Sequence, residues 1–282
     1  MFIQMYGEKY MRFPEGKAKA LTFSYDDGVT ADRRLLEIFE KYGMRGTFNL
    51  NNLLFDAQCW HDRMNEEDTL NTFKGCGQEV ALHGARHLFL SKVTLPEVVK
   101  EVADNRAYLE EKFNRVVRGM AYPYGSVNGD IKRVLADLGV VYGRTTVSSF
   151  DFSIPSDWLQ WNPTCHHTDR EFAEIADRFF TQSPESDVKH REGWLFSVWG
   201  HAYEFDDNNN WAVMESLCRR AQENAAGVWF ATNMEVYEYV KAYESLVFSL
   251  DGERCYNPSA IPVWLEKRGK VYKIDTNETV KF

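Results

Sequence analysis

Two adjacent carboxylates, Asp26 and Asp27, close the apolar stretch Thr22-Phe23-Ser24-Tyr25-Asp26-Asp27-Gly28. Two imidazoles, His83 and His87, stand four residues apart in His83-Gly84-Ala85-Arg86-His87, again just after an apolar run. One carboxylate with two histidines supplies three protein ligands for a divalent metal. It leaves one coordination position open and the second carboxylate free to act as a base, the layout of a hydrolytic rather than a structural metal site. Neither stretch suffices alone, because Asp-Asp-Gly is a common turn and His-x-x-x-His also occurs on helix faces and in tight loops. Their joint appearance at the ends of apolar runs is what points to one site.

A third run, Trp194-Leu195-Phe196-Ser197-Val198-Trp199-Gly200, ends at His201. The remaining histidines, His61, His166, His167 and His190, read as solvated or core residues, with His166 and His167 in a loop over the same face. Trp158, Trp161, Trp199 and Trp211 suit sugar stacking, but core packing accounts for at least half of them. The acidic stretch Glu204 to Asp207 reads as a solvated face.

These residues need a scaffold. Apolar segments of strand length occur at Ala20–Tyr25, Gly46–Asn51, Glu79–His83, Val117–Tyr122, Val140–Thr145, Trp194–Trp199 and Val228–Thr232. Segments of helical period alternate with them, near Asp32–Tyr42, Leu95–Phe113, Asp130–Leu138, Asp169–Phe180, Trp211–Asn224 and Glu235–Tyr243. Thr94-Leu95-Pro96-Glu97 and Asn128 carry N-cap chemistry. The alternation predicts an α/β fold, either a barrel or a doubly wound sheet. The barrel is favoured because the candidate residues fall at the C-terminal ends of several different strands, where barrels assemble their active sites. Beyond residue 244 the pattern changes to short strands with turns at Asp251-Gly252, Asn257-Pro258 and Arg268-Gly269. This divides the chain into a barrel over 1–244 and a small C-terminal β appendage over 245–282.

Composition narrows the function. The 282-residue chain carries 33 basic and 42 acidic residues, and a net charge of −9 argues against a nucleic-acid or anionic-membrane partner. The five cysteines, Cys59, Cys76, Cys165, Cys218 and Cys255, lack framework spacing and read as reduced thiols. Met1 to Tyr10 has no basic segment followed by an apolar one, and no run reaches membrane-spanning length, so a cytoplasmic location is expected. The oligomeric state is not legible.

From about Leu21 to Asn233 the chain resembles the polysaccharide deacetylase family, also known as NodB homology or carbohydrate esterase family 4. The resemblance implies a distorted seven-stranded (β/α) barrel of the NodB type. In that family's first motif, which Thr22 to Gly28 resembles, the first Asp is the general base and the second binds the metal; here these are Asp26 and Asp27. His83 and His87 match the second motif, the metal-ligating histidines. Tyr122-Pro123-Tyr124-Gly125 resembles the third, in which the backbone N–H of the Tyr after Pro, here Tyr124, helps to bind an oxyanion. Trp194 to His201 resembles the fifth, whose His is the general acid.

Two departures stand out. The third motif's Arg, two positions before the Pro, is Ala121 here, and Ile154 stands where the fourth motif has its leading Asp, although Asp157-Trp158 remains. Arg144, at the end of the Val140–Thr145 strand, is expected to supply the missing guanidinium to Asp26, and Asp157 to belong to the catalytic group. The implied activity is metal-dependent removal of acetyl groups from an N-acetylated sugar or oligosaccharide. Zinc is the first choice for a site of imidazole and carboxylate, with cobalt, nickel and manganese also fitting. An O-acetyl esterase of glycans and a catalytically impaired carbohydrate-binding relative are the alternatives.

Overall fold

The computed structural model describes residues 9–55, 61–186 and 191–282; His190 and Cys59 lie outside the described residues. The chain opens with β1 (Lys9–Arg12), β2 (Lys19–Asp26), α1 (Asp32–Tyr42), β3 (Gly46–Leu50), α2 (Glu66–Phe73) and β4 (Glu79–Leu82). It continues through α3 (Leu95–Phe113), β5 (Gly119–Ala121), α4 (Gly129–Asp137), β6 (Tyr142–Arg144), β7 (Cys165–His166), α5 (Phe172–Thr181) and β8 (Trp194–Gly200). After β8 come α6 (Tyr203–Asp207), α7 (Ala212–Glu223), β9 (Val228–Phe230), α8 (Asn233–Glu244) and the short strands β10 (Val247–Phe248), β11 (Arg254–Tyr256), β12 (Val263–Lys267), β13 (Lys270–Ile274) and β14 (Thr279–Lys281).

The principal sheet has the parallel order β6-β5-β4-β3-β2-β8-β7, with β9 on β2. Strand β2 is its axis: β8 pairs with it from Lys19 to Tyr25, while β9 and β3 divide its other edge. The two ends of the sheet are drawn together by one segment. Trp161 exchanges backbone hydrogen bonds with Gly143 and Thr145 beside β6, and four residues later Cys165 and His166 pair with β8. The result is the expected distorted parallel barrel with helices outside. Strand β7 was expected as loop, since two residues are too few to show a periodic pattern.

Side chains alternate across β2 and sort by polarity. Phe23 and Tyr25 face outward onto α1, with ring centroids 4.7 and 6.4 Å from Phe39. Thr22, Ser24 and Asp26 face inward, where Thr22 Oγ1 donates to Asn233 Oδ1 and Ser24 Oγ accepts from Arg144. The predicted caps are present: Thr94 and Glu97 form a capping box on α3, and Asn128 Oδ1 accepts from the Ile131 N–H at the start of α4. Helix α2 was missed, although Asn65 caps it and Glu66, Glu67 and Asp68 fill its first turn.

At the chain's end, β10-β11-β14 form one small antiparallel sheet and β12-β13 another, which the N-terminal strand β1 completes by pairing with β12. Cys76, Cys165, Cys218 and Cys255 are free thiols. Among the described residues no helix is long and apolar enough to cross a membrane.

The β5–β6 pair shows how tightly the barrel wall is packed. Gly119 lies opposite Tyr142, and a Cβ at Gly119 would fall 2.2 Å from the Tyr142 ring. Tyr142 is itself held by its hydroxyl on Glu79 at 2.8 Å and cannot swing away freely. Gly119→Ala should therefore destabilise the protein by about 1–3 kcal/mol. In urea unfolding the midpoint should fall with an unchanged m-value.

Candidate active site

Consecutive residues in a strand point to opposite faces, so Asp26 and Asp27 could not share a pocket if β2 simply continued. The strand ends at Asp26, and Asp27 turns into the left-handed region with φ 86°, followed by Gly28 at φ 68°. That turn brings both carboxylates to one imidazole: His83 Nε2 lies 3.8 Å from Asp26 Oδ2 and 3.7 Å from Asp27 Oδ1. His87 (φ 59°) and Tyr124 (φ 56°) are also left-handed, so three of the expected site residues adopt a conformation that costs non-glycine residues energy.

Asp26 is buried and so is its partner. Arg144 Nη2 donates to both carboxylate oxygens of Asp26, at 2.5 Å to Oδ2, and Arg144 Nε donates to Ser24 Oγ. Asn49 Nδ2 adds a bond of 2.8 Å to Asp26 Oδ1. Burial would push the Asp26 carboxyl up, but the Arg144 guanidinium, with His83 and His201, overrides it and brings the pKa down to about 2. In the β5–β6 pairing Arg144 lies directly beside Ala121. The guanidinium that the third motif would place at 121 thus stands one strand over, still within reach of Asp26. It also lies 4.5 Å above the Trp199 ring, which fixes its plane.

Asp27, His83 and His87 form the metal-ligand group. Their ligand atoms lie within 4.8 Å of one another, with His83 Nε2 and His87 Nε2 each 3.7 Å from Asp27 Oδ1. His83 Nδ1 is 2.8 Å from the Ala121 carbonyl, which sets the ring so that Nε2 faces the group. That Nε2 is buried and has no hydrogen-bond partner, a costly arrangement unless something else engages it. Burial lowers both imidazoles, and with His83 alongside His87 falls to about 4, so both rings are neutral and carry the lone pair a metal requires. The donor set therefore fits a divalent ion. Sequence reading missed Arg63, whose Nη2 pairs with Asp27 Oδ1 at 2.8 Å and whose Nη1 bonds the Asp27 carbonyl and Asn51 Oδ1.

These groups open into a cavity of about 750 Å³ lined also by Leu54, His61, Phe89, Tyr124, Trp199 and Tyr203. Phe89 and Tyr124 are exposed at its rim and stack at 3.7 Å with an interplanar angle of 3°. His201 follows β8 and lies with Nε2 4.0 Å from Asp27 Oδ2. Burial opposes its charge, but Glu204, Asp26 and Asp27 outweigh that and raise its pKa above the ordinary histidine value. Glu204, assigned to a solvated face from sequence, lies 3.3 Å from His201 Nδ1.

The other expectations divide. His61 lines the cavity, stacked on Tyr203 at 3.4 Å, while His167 is packed between Tyr25 and Phe205. Of the four tryptophans only Trp199 lines the cavity; Trp158, Trp161 and Trp211 are core. Asp157 does not join the site. It is an exposed residue whose carboxylate caps Leu159 N and pairs with Lys132 at 2.6 Å, because the chain enters a short helical turn there.

The Asp26–Arg144 pair yields a stability test. Arg144→Ala would leave an ionised carboxylate buried without its partner and should cost about 3–5 kcal/mol in denaturant unfolding. Adding Asp26→Asn to that variant should recover part of the loss, since the stranded charge is then gone.

Residues 13–143 match the family model described as polysaccharide deacetylase. No curated protein matches the sequence. Among solved structures, a putative polysaccharide deacetylase from Mycobacterium smegmatis superposes with a TM-score of 0.60 at 17% identity, covering 83% of this chain and 94% of that one. The peptidoglycan deacetylase PdaC from Bacillus subtilis, as a D285S mutant, gives 0.53 at 16% identity over 81% of this chain and 94% of that one. A family 4 carbohydrate esterase from Streptomyces lividans, in complex with acetate, gives 0.50 at 15% identity over 76% of this chain and 92% of that one. At these identities the structures speak for the fold alone. With the matched segment, the Asp-Asp and His-x-x-x-His motifs and the barrel that carries them, the chain is similar to the polysaccharide deacetylase family over just under half of its length in sequence and over most of its length in fold.

Proposed function

We propose that this protein is a metal-dependent deacetylase that releases acetate from an N-acetylated sugar or oligosaccharide. The observation that carries the reading is the pairing, on one cavity wall, of a buried carboxylate locked by Arg144 with a ligand group of one ionised carboxylate, Asp27, and two neutral imidazoles. A carbohydrate-binding relative without catalysis would have no need for a buried Arg–Asp pair beside two convergent imidazoles.

Asp27, His83 and His87 would hold the divalent ion, zinc by donor type, which when bound polarises the acetyl carbonyl and acidifies water. The protein's own groups divide the remaining work. Asp26 stays ionised at any working pH, so it is always ready to accept a proton from the attacking water; Arg144 and Asn49 keep its free lone pairs aimed at the cavity. The backbone N–H of Tyr124 is the proposed donor to the developing oxyanion, a contribution worth about 3–4 kcal/mol in comparable sites. His201, as imidazolium, gives its Nε2 proton to the departing nitrogen, because an amine anion cannot leave unprotonated. The stacked Phe89–Tyr124 pair offers an apolar surface to a sugar ring.

Purified protein should bind about one divalent ion per chain. Asp27→Ala, His83→Ala and His87→Ala should each abolish that binding in elemental analysis or titration calorimetry. Full retention in His83→Ala would remove it from the ligand set.

Acetate release across a panel of N- and O-acetylated oligosaccharides, with and without a chelator, tests the reaction. Chelation should abolish release, and release from O-acetyl glycans only would make the protein an esterase. Asp26→Asn should damage N-acetyl sugar and nitrophenyl acetate turnover alike, by about 100-fold or more, since both reactions need water activation. His201→Ala should damage the amide far more than the aryl ester, whose phenolate departs without a proton.

A further inference from the structure

We propose that Glu204 is the positioning residue for His201, fixing the tautomer in which Nδ1 keeps its hydrogen and Nε2 faces the substrate. The inference rests on the role proposed above for His201; in the fourth motif that the chain resembles, the leading Asp tunes the acid His, and Ile154 stands at that position here.

The local chain builds this contact. Strand β8 ends at Gly200 and α6 starts at Tyr203, so Glu204 sits one turn beyond His201. The Glu204 carboxylate folds back to accept the His201 backbone N–H at 2.9 Å, while the Glu204 N–H donates to the His201 carbonyl at 3.2 Å. Its Oε2 is thereby placed 3.3 Å from His201 Nδ1, a buried nitrogen with no aligned hydrogen bond in this structure, so that Glu204 is the carboxylate that faces it, while Nε2 faces Asp27. Tyr203 stacks on the His201 ring, centroids 5.0 Å apart, and in turn on His61, which restrains rotation of the ring.

Two further imidazoles reach the same carboxylate oxygen, His166 and His167, with His167 Nε2 3.4 Å from Glu204 Oε2. His166 Nε2 lies 3.2 Å from Glu204 Oε2. His166 Nδ1 accepts the backbone N–H of Thr168 at 3.1 Å, so its lone pair is at Nδ1 and the hydrogen of the neutral ring must be on Nε2, directed at Glu204. This also decides between two uses of the cluster. His166, His201 and Glu204 are close enough to hold a metal, but an ion on His166 Nε2 would need the lone pair that Thr168 has fixed on Nδ1. The cluster is an orienting network and not a second metal site.

The imidazolium carries hydrogens on both nitrogens; Nδ1–H is retained by Glu204, and Nε2–H is the one transferred to the leaving nitrogen. The product is neutral His201 with hydrogen on Nδ1, the tautomer a carboxylate at Nδ1 favours.

Glu204→Gln is the decisive variant, since its amide oxygen can still accept the His201 backbone N–H while its NH₂ would donate to Nδ1 and drive the hydrogen to Nε2. In ¹⁵N NMR of the zinc-loaded protein, wild-type neutral His201 should be the Nδ1–H tautomer and Glu204→Gln should lose it. Wild-type His201 as the Nε2–H tautomer would overturn the proposal whatever the enzyme's substrate. In kinetics, kcat on an N-acetylglucosamine pentasaccharide should fall about 100-fold or more in Glu204→Gln, with KM unchanged. Nitrophenyl acetate turnover should change by less than about 5-fold, and Glu204→Gln added to His201→Ala should cost nothing more. Equal losses on both substrates, or additive losses in the double variant, would reduce Glu204 to a structural residue. Failure of wild type on the pentasaccharide would count against the deacetylase reading and leave the tautomer measurement to decide the role of Glu204.

Discussion

The barrel is organised around a buried charge pair that joins two strands distant in the sheet. Asp26 is carried by the central strand and Arg144 by a strand at the edge of the sheet, so their contact spans the interior. Each ion alone would carry a desolvation cost of several kcal/mol; together, with Ser24, Asn49 and the Trp199 face, nearly every polar atom is engaged. The pair fixes the carboxylate's direction across the closed sheet. It requires Trp161–His166 to draw the sheet edges together, because an open sheet would leave Arg144 too far from Asp26.

The second constraint is the reversal at Asp27. Alternation along β2 places Ser24 and Asp26 inside, and a regular Asp27 would face α1 with Tyr25. The left-handed turn moves it back to the lumen, where Arg63 and the His83–His87 pair receive it. Arg63 matters to the charge balance: with Arg144 it offsets two carboxylates placed side by side in a chain of net charge −9. An incoming divalent ion would share Asp27 with a guanidinium already in place, so metal affinity in this reading reflects competition as well as donor type.

Much of this was legible before any coordinates. The helices α1 and α3 match their sequence boundaries because a cap or acidic first turn marks the start and a left-handed Gly43 or Asn114 marks the end. The long strands were visible as apolar runs, and on β2 the alternation of Leu21, Phe23 and Tyr25 with Thr22, Ser24 and Asp26 also showed which face turns inward. What sequence could not show is lateral placement. Strand β7 is too short to have a period, and the joining of the sheet edges at Trp161 depends on contacts far apart in the chain. Glu204 looked like any solvated acidic residue, for nothing local says that the carboxylate folds back on His201. Asp157 misled in the opposite sense, since its surviving Asp-Trp neighbourhood suggested a role that its helical turn and Lys132 rule out of the cavity.

The two motif departures have the same physical form. A guanidinium absent at position 121 is present at 144, its neighbour across the β5–β6 ladder, and a carboxylate absent at 154 is present at 204, one helical turn beyond the histidine it faces. In each case the charge has left its motif while remaining within hydrogen-bond reach of the group it serves. Barrel geometry makes this feasible, because many strand ends converge on one mouth and a side chain can approach the same point from several of them. What the proposed chemistry requires is a charge at a place and not a residue at a position. A sequence pattern that demands Arg two residues before Pro would therefore miss this arrangement, whereas the distances from Arg144 to Asp26 and from Glu204 to His201 place both charges beside the groups they would serve in the proposed reaction.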